Sequence, residues 1–147
     1  MGIDYGDKNI GIAVTDPTGI IALPVTTIVR KDPHTIKPYV AQIGELLKQY
    51  GIETIVLGFP KNMNNTQSER ADITLNFKER LERHFKKVPV ILWDERLTSL
   101  GAERFFREQN IKAKNQKNII DQLSACLILQ NYLDYLANQK KDNHIGK

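Results

Sequence analysis

"GIDYGDKNIGIAVTD", residues 2–16, sets two short β-favouring runs, 2–6 and 9–15, on either side of "GDKN", whose glycine, aspartate and asparagine are turn formers. That pattern reads as an antiparallel hairpin. It also holds an oddity, because Asp4 stands between Ile3 and Tyr5. Side chains alternate along a strand, so Ile3 and Tyr5 share one face and Asp4 points to the other. A carboxylate inside a sheet must be neutralised by a proton, a cationic side chain or a metal ion, since an uncompensated buried charge is costly. A local alternative makes Asp4 the end of its strand and the cap of the "YGDKN" turn. With Met1 only three residues before Asp4 the first strand is short, and the natural chain is expected to begin a few residues earlier.

Outward from the hairpin, "DPTG" turns the chain and "IIALPVTTIVR" supplies a third strand rich in β-branched residues. From about Thr35 to Tyr50, Ile36, Val40, Ile43 and Leu47 recur at helical spacing, with Pro38 in the first turn and Gly51 as the stop. "ETIVLGFP" has the continuous apolar centre of a parallel strand covered on both faces. A second helix follows, with Thr66 and Glu69 at capping-box spacing and Ile73, Phe77, Leu81 and Phe85 on its apolar face. "VPVILWDE" is another buried strand, "TSLGAERFFRE" a short helix and "NIIDQLSACLILQNYLDYLAN" a long one. Three meandering strands followed by βαβ crossovers predict an α/β fold, a five-stranded mixed sheet with three antiparallel strands, then two parallel ones, and helices on both faces. One domain over residues 1–138 is expected, with a polar tail, 139–147, that frays.

The totals agree with one folded unit. At 147 residues, 41% apolar and 26% charged, the chain is long enough to bury a core and too hydrophobic to be disordered. Its one cysteine, Cys126, lies in the apolar run "SACLILQ" and reads as core, in a compartment where disulfides are not needed. No apolar run reaches 18 residues and no signal peptide is visible, so a soluble, cytoplasmic protein is expected. The net charge of +4 and pI near 9.2 fit a protein whose partner is nucleic acid, though many basic proteins bind none.

Two further acids stand where chemistry is done. "LWDERLTS" ends an apolar strand in Asp94 and Glu95, at the carboxyl edge where open α/β sheets place ligands. An ion pair to Arg96, or a helix cap near Thr98, is the plain structural reading of the same residues. Asp121 opens the last helix, and small neighbours, Ser124 and Ala125, would let that helix approach the sheet. Its local alternative is stronger: with Asn118 as N-cap, Asp121 takes the third helical position, where a carboxylate is favoured anyway.

Three carboxylates from separated segments form a set of hard oxygen ligands suited to Mg2+ or Mn2+. Zinc is poorly served, because His34, His84 and His144 are scattered singly in polar contexts. Carboxylates around divalent ions hydrolyse phosphodiesters. Lys112, Lys114 and Lys117 in "NIKAKNQKN", with Arg96 beside the acids, are candidates to grip flanking phosphates; a solvated basic loop is the other reading.

Taken together, "GIDYGDKNIGIAVTD", "IVLGFPKNMNNTQSERA", "DERLTS" and "IIDQLSACLILQNYL" resemble, in order and over nearly the whole chain, the YqgF (RuvX) family. Its members are Holliday junction resolvase-like proteins usually regarded as nucleases for the precursor of 16S ribosomal RNA. The resemblance implies a ribonuclease H-like fold, and marks Asp4, Glu95 and Asp121 as the catalytic and metal-binding acids. Gly6, Gly58 and Pro60 match the family's backbone signatures. The chain departs from the family at Asp7, where a small polar residue is usual, at Asn9, where arginine is common, and at Asn65, where glycine is usual. If the strand ending at Glu95 lies outside the one ending at Gly58, Glu95 is two strands, about 10 Å, from Asp4 and must lean inward, with Asp94 as the fallback ligand.

The function implied is Mg2+- or Mn2+-dependent hydrolysis of RNA in 5′-end processing of pre-16S rRNA, with ribosomal precursor particles as a partner. Four-way DNA is the alternative substrate, and junction cleavage would need a two-fold dimer; the sequence leaves monomer or homodimer open. A non-catalytic RNA-binding assembly factor is a further class. An ATP-dependent phosphotransferase of the actin and sugar-kinase type shares the opening motif but needs a second such half, and 147 residues leave no room for it.

Overall fold

The computed structural model describes residues 1–32, 34–60, 69–94 and 113–145, with the backbone alone for 113–120 and 141–145. The opening stretch folds as the hairpin β1 (Gly2–Tyr5) and β2 (Asn9–Thr15), and β3 (Ala22–Val29) follows on its outer side. The turn between β1 and β2 is closed by the Gly6 amide, which donates to the Asn9 carbonyl at 2.9 Å. Helix α1 (Lys37–Tyr50) leads to β4 (Ile55–Phe59), α2 (Glu69–His84) to β5 (Val90–Asp94), and α3 (Ala113–Ile145) closes the described chain. The sheet order is β3-β2-β1-β4-β5, with β3, β2 and β1 antiparallel and β1, β4 and β5 parallel. This is the mixed sheet expected.

Two cores of different character cover its faces. On one, Ile3, Ile10, Ile12, Ile55 and Leu57 meet α1 and α2, and Tyr5 stacks on Phe77 with ring centroids 3.9 Å apart. Burying each such side chain contributes roughly 1.5–3 kcal/mol, so this face holds most of the fold's apolar stabilisation. On the other, α3 lays Ala125, Ile128 and Leu129 on Ala13 and Val56. Ala13, Ala22 and Ala125 leave little between helix and sheet there.

Helix α1 buries Tyr39, Val40, Ile43 and Leu47 and ends at Gly51, whose φ of 60° lets the Ile52 amide reach the Leu47 carbonyl at 3.0 Å. In α2 the buried residues are Ala71, Thr74, Phe77 and Leu81, while Ile73 is exposed. The expected apolar line holds at Phe77, Leu81 and Phe85 and fails only at Ile73, where Thr74 takes the buried place and seals its hydroxyl on the Arg70 carbonyl at 3.0 Å. Thr66, Thr98 and the short helix read from "TSLGAERFFRE" lie outside the described residues.

Helix α3 corrects the sequence reading at its start: it begins at Ala113, so Asn118 lies inside it and not at its N-cap position. Its backbone continues as helix to Ile145. Lysine and glutamine, which recur in the added turns, are good helix formers without being apolar, so periodicity did not mark this extension.

Candidate active site

Two glycines in the sheet decide how near α3 comes. Gly2 and Asp4 share the α3 face of β1, and across the hairpin Gly2 pairs with Ala13 and Asp4 with Gly11. A β-carbon at Gly2 would lie 2.6 Å from the Ala125 carbonyl oxygen and 2.8 Å from the Leu129 β-carbon. One at Gly11 would collide with the carbonyl of Asp121 and stand 3.1 Å from the Gln122 amide nitrogen. Asp121, Ala125 and Leu129 are successive i, i+4 positions, so one line of α3 rests directly on backbone. Asp121 is thereby set down on the strand residue that pairs with Asp4. The sequence reading credited this approach to Ser124 and Ala125; Ala125 is fully buried in it and Ser124 is half-buried. Gly11 was missed, although a glycine inside a strand is the usual mark of a close backbone approach.

The electrostatics register the pairing. The Asp121 carboxyl is held above its ordinary value of 3.8, first by burial and then by the negative charge of Asp4. A side-chain hydrogen bond from Asn9 opposes that rise, as an amide N–H donated to a carboxylate favours the charged form. Asn9 starts β2 two residues before Gly11, on the same face. Two carboxylates that repel each other at a half-buried site form a receptor for a cation, and oxygen donors on rigid elements suit a hard divalent ion. With Asp121 in the third turn of α3, its reading as an N-terminal helix cap falls.

The other candidates divide. Asp94 ends β5 opposite Phe59, two strands from β1. Val90 and Leu92 pack with the α1–α2 core and Trp93 with α3, so strand alternation sets Asp94 on the face opposite Asp4. Glu95, Arg96 and Lys112 lie outside the described residues, as do the side chains of Lys114, Lys117 and His144, whose positions fall on α3. Among the described residues no group of three or more histidine, cysteine or acidic side chains converges, and His34 and His84 are exposed. Asp7 does not turn toward the acids: it is exposed and pairs with Arg70 at 3.5 Å. Cys126 packs against the α3 core, where burial pushes its thiol up to about 12. No described helix is long and apolar enough to cross a membrane.

A family model described as "RuvX: Holliday junction resolvase" matches residues 1–135. The chain belongs to the RuvX family. Among RuvX relatives, a protein of Agathobacter rectalis named "Putative pre-16S rRNA nuclease" is 43% identical over 140 residues, 95% of this chain and 97% of that one. One of Acetivibrio thermocellus with the same name is 42% identical over 134 residues, 91% of this chain and 94% of the relative. Among solved structures, Thermus thermophilus RuvC in complex with a Holliday junction substrate aligns at TM-score 0.55 and 15% identity, covering 86% of this chain and 89% of that one. RuvC of the same organism solved separately gives 0.51 at 16% identity, over 86% of this chain and 90% of its own. That likeness concerns the fold, which is the ribonuclease H-like sheet expected from the four motifs. Membership in RuvX places the chain in a nuclease family.

Proposed function

We propose that this RuvX protein hydrolyses phosphodiester bonds of RNA with a divalent cation, Mg2+ or Mn2+, held by Asp4, Asp121 and Glu95. The observation that carries the reading is the seating of Asp121 over Gly11, the residue paired with Asp4, which brings acids from opposite ends of the chain to one face of the sheet. A divalent ion at such a site offsets the repulsion between the carboxylates and gives electrophilic assistance to hydrolysis of a phosphodiester.

The protein's own part is positioning. Asp4 is fixed within β1 opposite Gly11 of β2, one residue past the last pairing of β1 with β4, Ile3 with Leu57. Asp121 is fixed by a helix in backbone contact with the sheet, and Asn9 orients its carboxylate. Lys112, Lys114, Lys117 and Arg96 would hold the flanking phosphates, which set register without reading sequence. The relatives' name, at about 40% identity over nearly the full chain, supports the precursor of 16S ribosomal RNA as substrate. Cutting at its 5′ end, in ribosomal precursor particles, is what the family resemblance implies. The family model's description favours a second reading, cleavage of four-way DNA.

The test presents the purified protein with a 16S precursor carrying its 5′ extension and, in parallel, with a four-way DNA junction, each with and without Mg2+. RNA is cut only with the metal, and Asp4→Asn abolishes cutting while its thermal unfolding still shows a folded protein. Preferential cutting of the junction moves the substrate to DNA. Tight, salt-sensitive RNA binding with no turnover of either substrate makes the protein a binding factor and sinks the nuclease reading.

A further inference from the structure

The turn between β1 and β2 carries an ion pair that does little for the fold. Arg70, in the first turn of α2, places Nη1 3.5 Å from Oδ2 of Asp7, and the two side chains are 48% and 70% exposed. A pair that long and that wet is worth at most about 1 kcal/mol, and often nothing measurable. A cation in the first turn of a helix also opposes the helix dipole. Neither local structure nor stability accounts for Arg70.

Its location does. Nη2 of Arg70 is 3.9 Å from the position a β-carbon would take on Gly6, two residues beyond Asp4. Two residues of strand span about 7 Å. Helix α2 lies on the Tyr5 side of the sheet, as the Tyr5–Phe77 stack shows, whereas Asp121 arrives on α3 from the other side. The guanidinium therefore reaches the carboxyl edge of β1 from the side opposite the paired acids. The turn beneath it is firm: Arg30 donates from Nη1 to the Gly6 carbonyl and from its amide to the Lys8 carbonyl, both at 2.8 Å.

Building on the nuclease reading, we propose that Arg70 is a subsite for a backbone phosphate flanking the scissile one, and that Asp7 occupies it in the free protein as an internal competitor. A guanidinium presents paired N–H donors that match a phosphate better than a single long contact to a carboxylate. On binding, the phosphate displaces Asp7, whose carboxylate returns to water. Asp7 thus lowers affinity for any nucleic-acid strand without touching it.

Binding without catalysis tests this separately from cleavage. A fluorescent single-stranded RNA is titrated with the full chain in EDTA, by anisotropy, between ~50 and ~200 mM KCl, the range over which phosphate contacts dominate. Arg70→Ala should weaken binding several-fold and reduce the log–log salt slope by about 0.7, the value for one single-strand phosphate. Asp7→Asn should tighten binding about two- to fivefold, the equivalent of an exposed pair. In the Arg70→Ala background, Asp7→Asn should have no effect, because the competitor then has nothing to hold. An unchanged slope in Arg70→Ala, or equal tightening by Asp7→Asn in both backgrounds, overturns the proposal. If the wild type cuts nothing while these binding effects hold, the nuclease reading fails and the phosphate subsite stands.

Discussion

The α-carbon of Gly11 lies directly beneath the peptide carbonyl of Asp121, with no room between them for a methyl group. Because Gly11 is also the cross-strand partner of Asp4, one missing side chain sets the distance between the two acids. Gly11→Ala must lift α3 or push β2 aside. Overpacking of this kind costs roughly 1–3 kcal/mol. A displacement near 1 Å at a reacting centre costs on the order of 100-fold in rate. Urea unfolding and cleavage of the precursor RNA, measured on the same preparation, should show both losses.

Asp121 makes stability depend on pH and on metal in a defined direction. Its folded-state carboxyl holds its proton more tightly than the unfolded chain does, through burial and the Asp4 charge. Stability from this group is thus present at low pH and fades as pH rises from the ordinary value of 3.8 through the raised folded value. In metal-free buffer at pH 7, Asp121→Asn should melt at a higher temperature than the wild type, with the gap closing as pH falls toward 3.8. Adding Mg2+ should raise the wild-type melting temperature and leave that of Asp121→Asn in place. Differential scanning fluorimetry across pH, with and without the ion, reads all three outcomes.

Much of this was legible in the sequence, and the exceptions have physical causes. Continuous apolar runs such as "ETIVLGFP" marked the parallel strands, and the turn residues of "GDKN" marked the hairpin. Asp4 stood out because alternation gave it a face of its own. Asp121 was ambiguous because an aspartate near a helix start satisfies local capping equally well; only the added turns of α3, built from polar helix formers, removed that option. Asp94 and Asp4 were separated by face, which needs the packing of Val90, Leu92 and Trp93 to be known. Asn9 stood out only as a departure from the family and Arg70 only as part of the "SERA" stretch of a family motif; neither showed a role, since the contact each makes is distant in sequence.

Asn9 is expected to act on the metal site through Asp121. Its hydrogen bond favours the ionised carboxylate against burial and the charge of Asp4. Asn9→Ala removes that support and should cost about 10- to 100-fold in metal affinity or activity, as loss of an outer-shell partner does. Titration with Mn2+ followed by electron paramagnetic resonance measures the affinity without any turnover.

Cys126 should be inert in the folded protein. Burial raises its thiol to about 12, so almost no thiolate exists at pH 8. A chromogenic disulfide reagent should react with one equivalent in denaturant and leave the native protein untouched over the same interval.

If Asp4 and Asp121 together gather a cation, a crystal soaked in Mn2+ shows it in place. Anomalous density between the carboxylates of Asp4 and Asp121, absent from an Asp4→Asn crystal treated identically, is the predicted result. Ordered carboxylates with no ion between them at saturating Mn2+, or an ion bound elsewhere with those two acids left free, would contradict it.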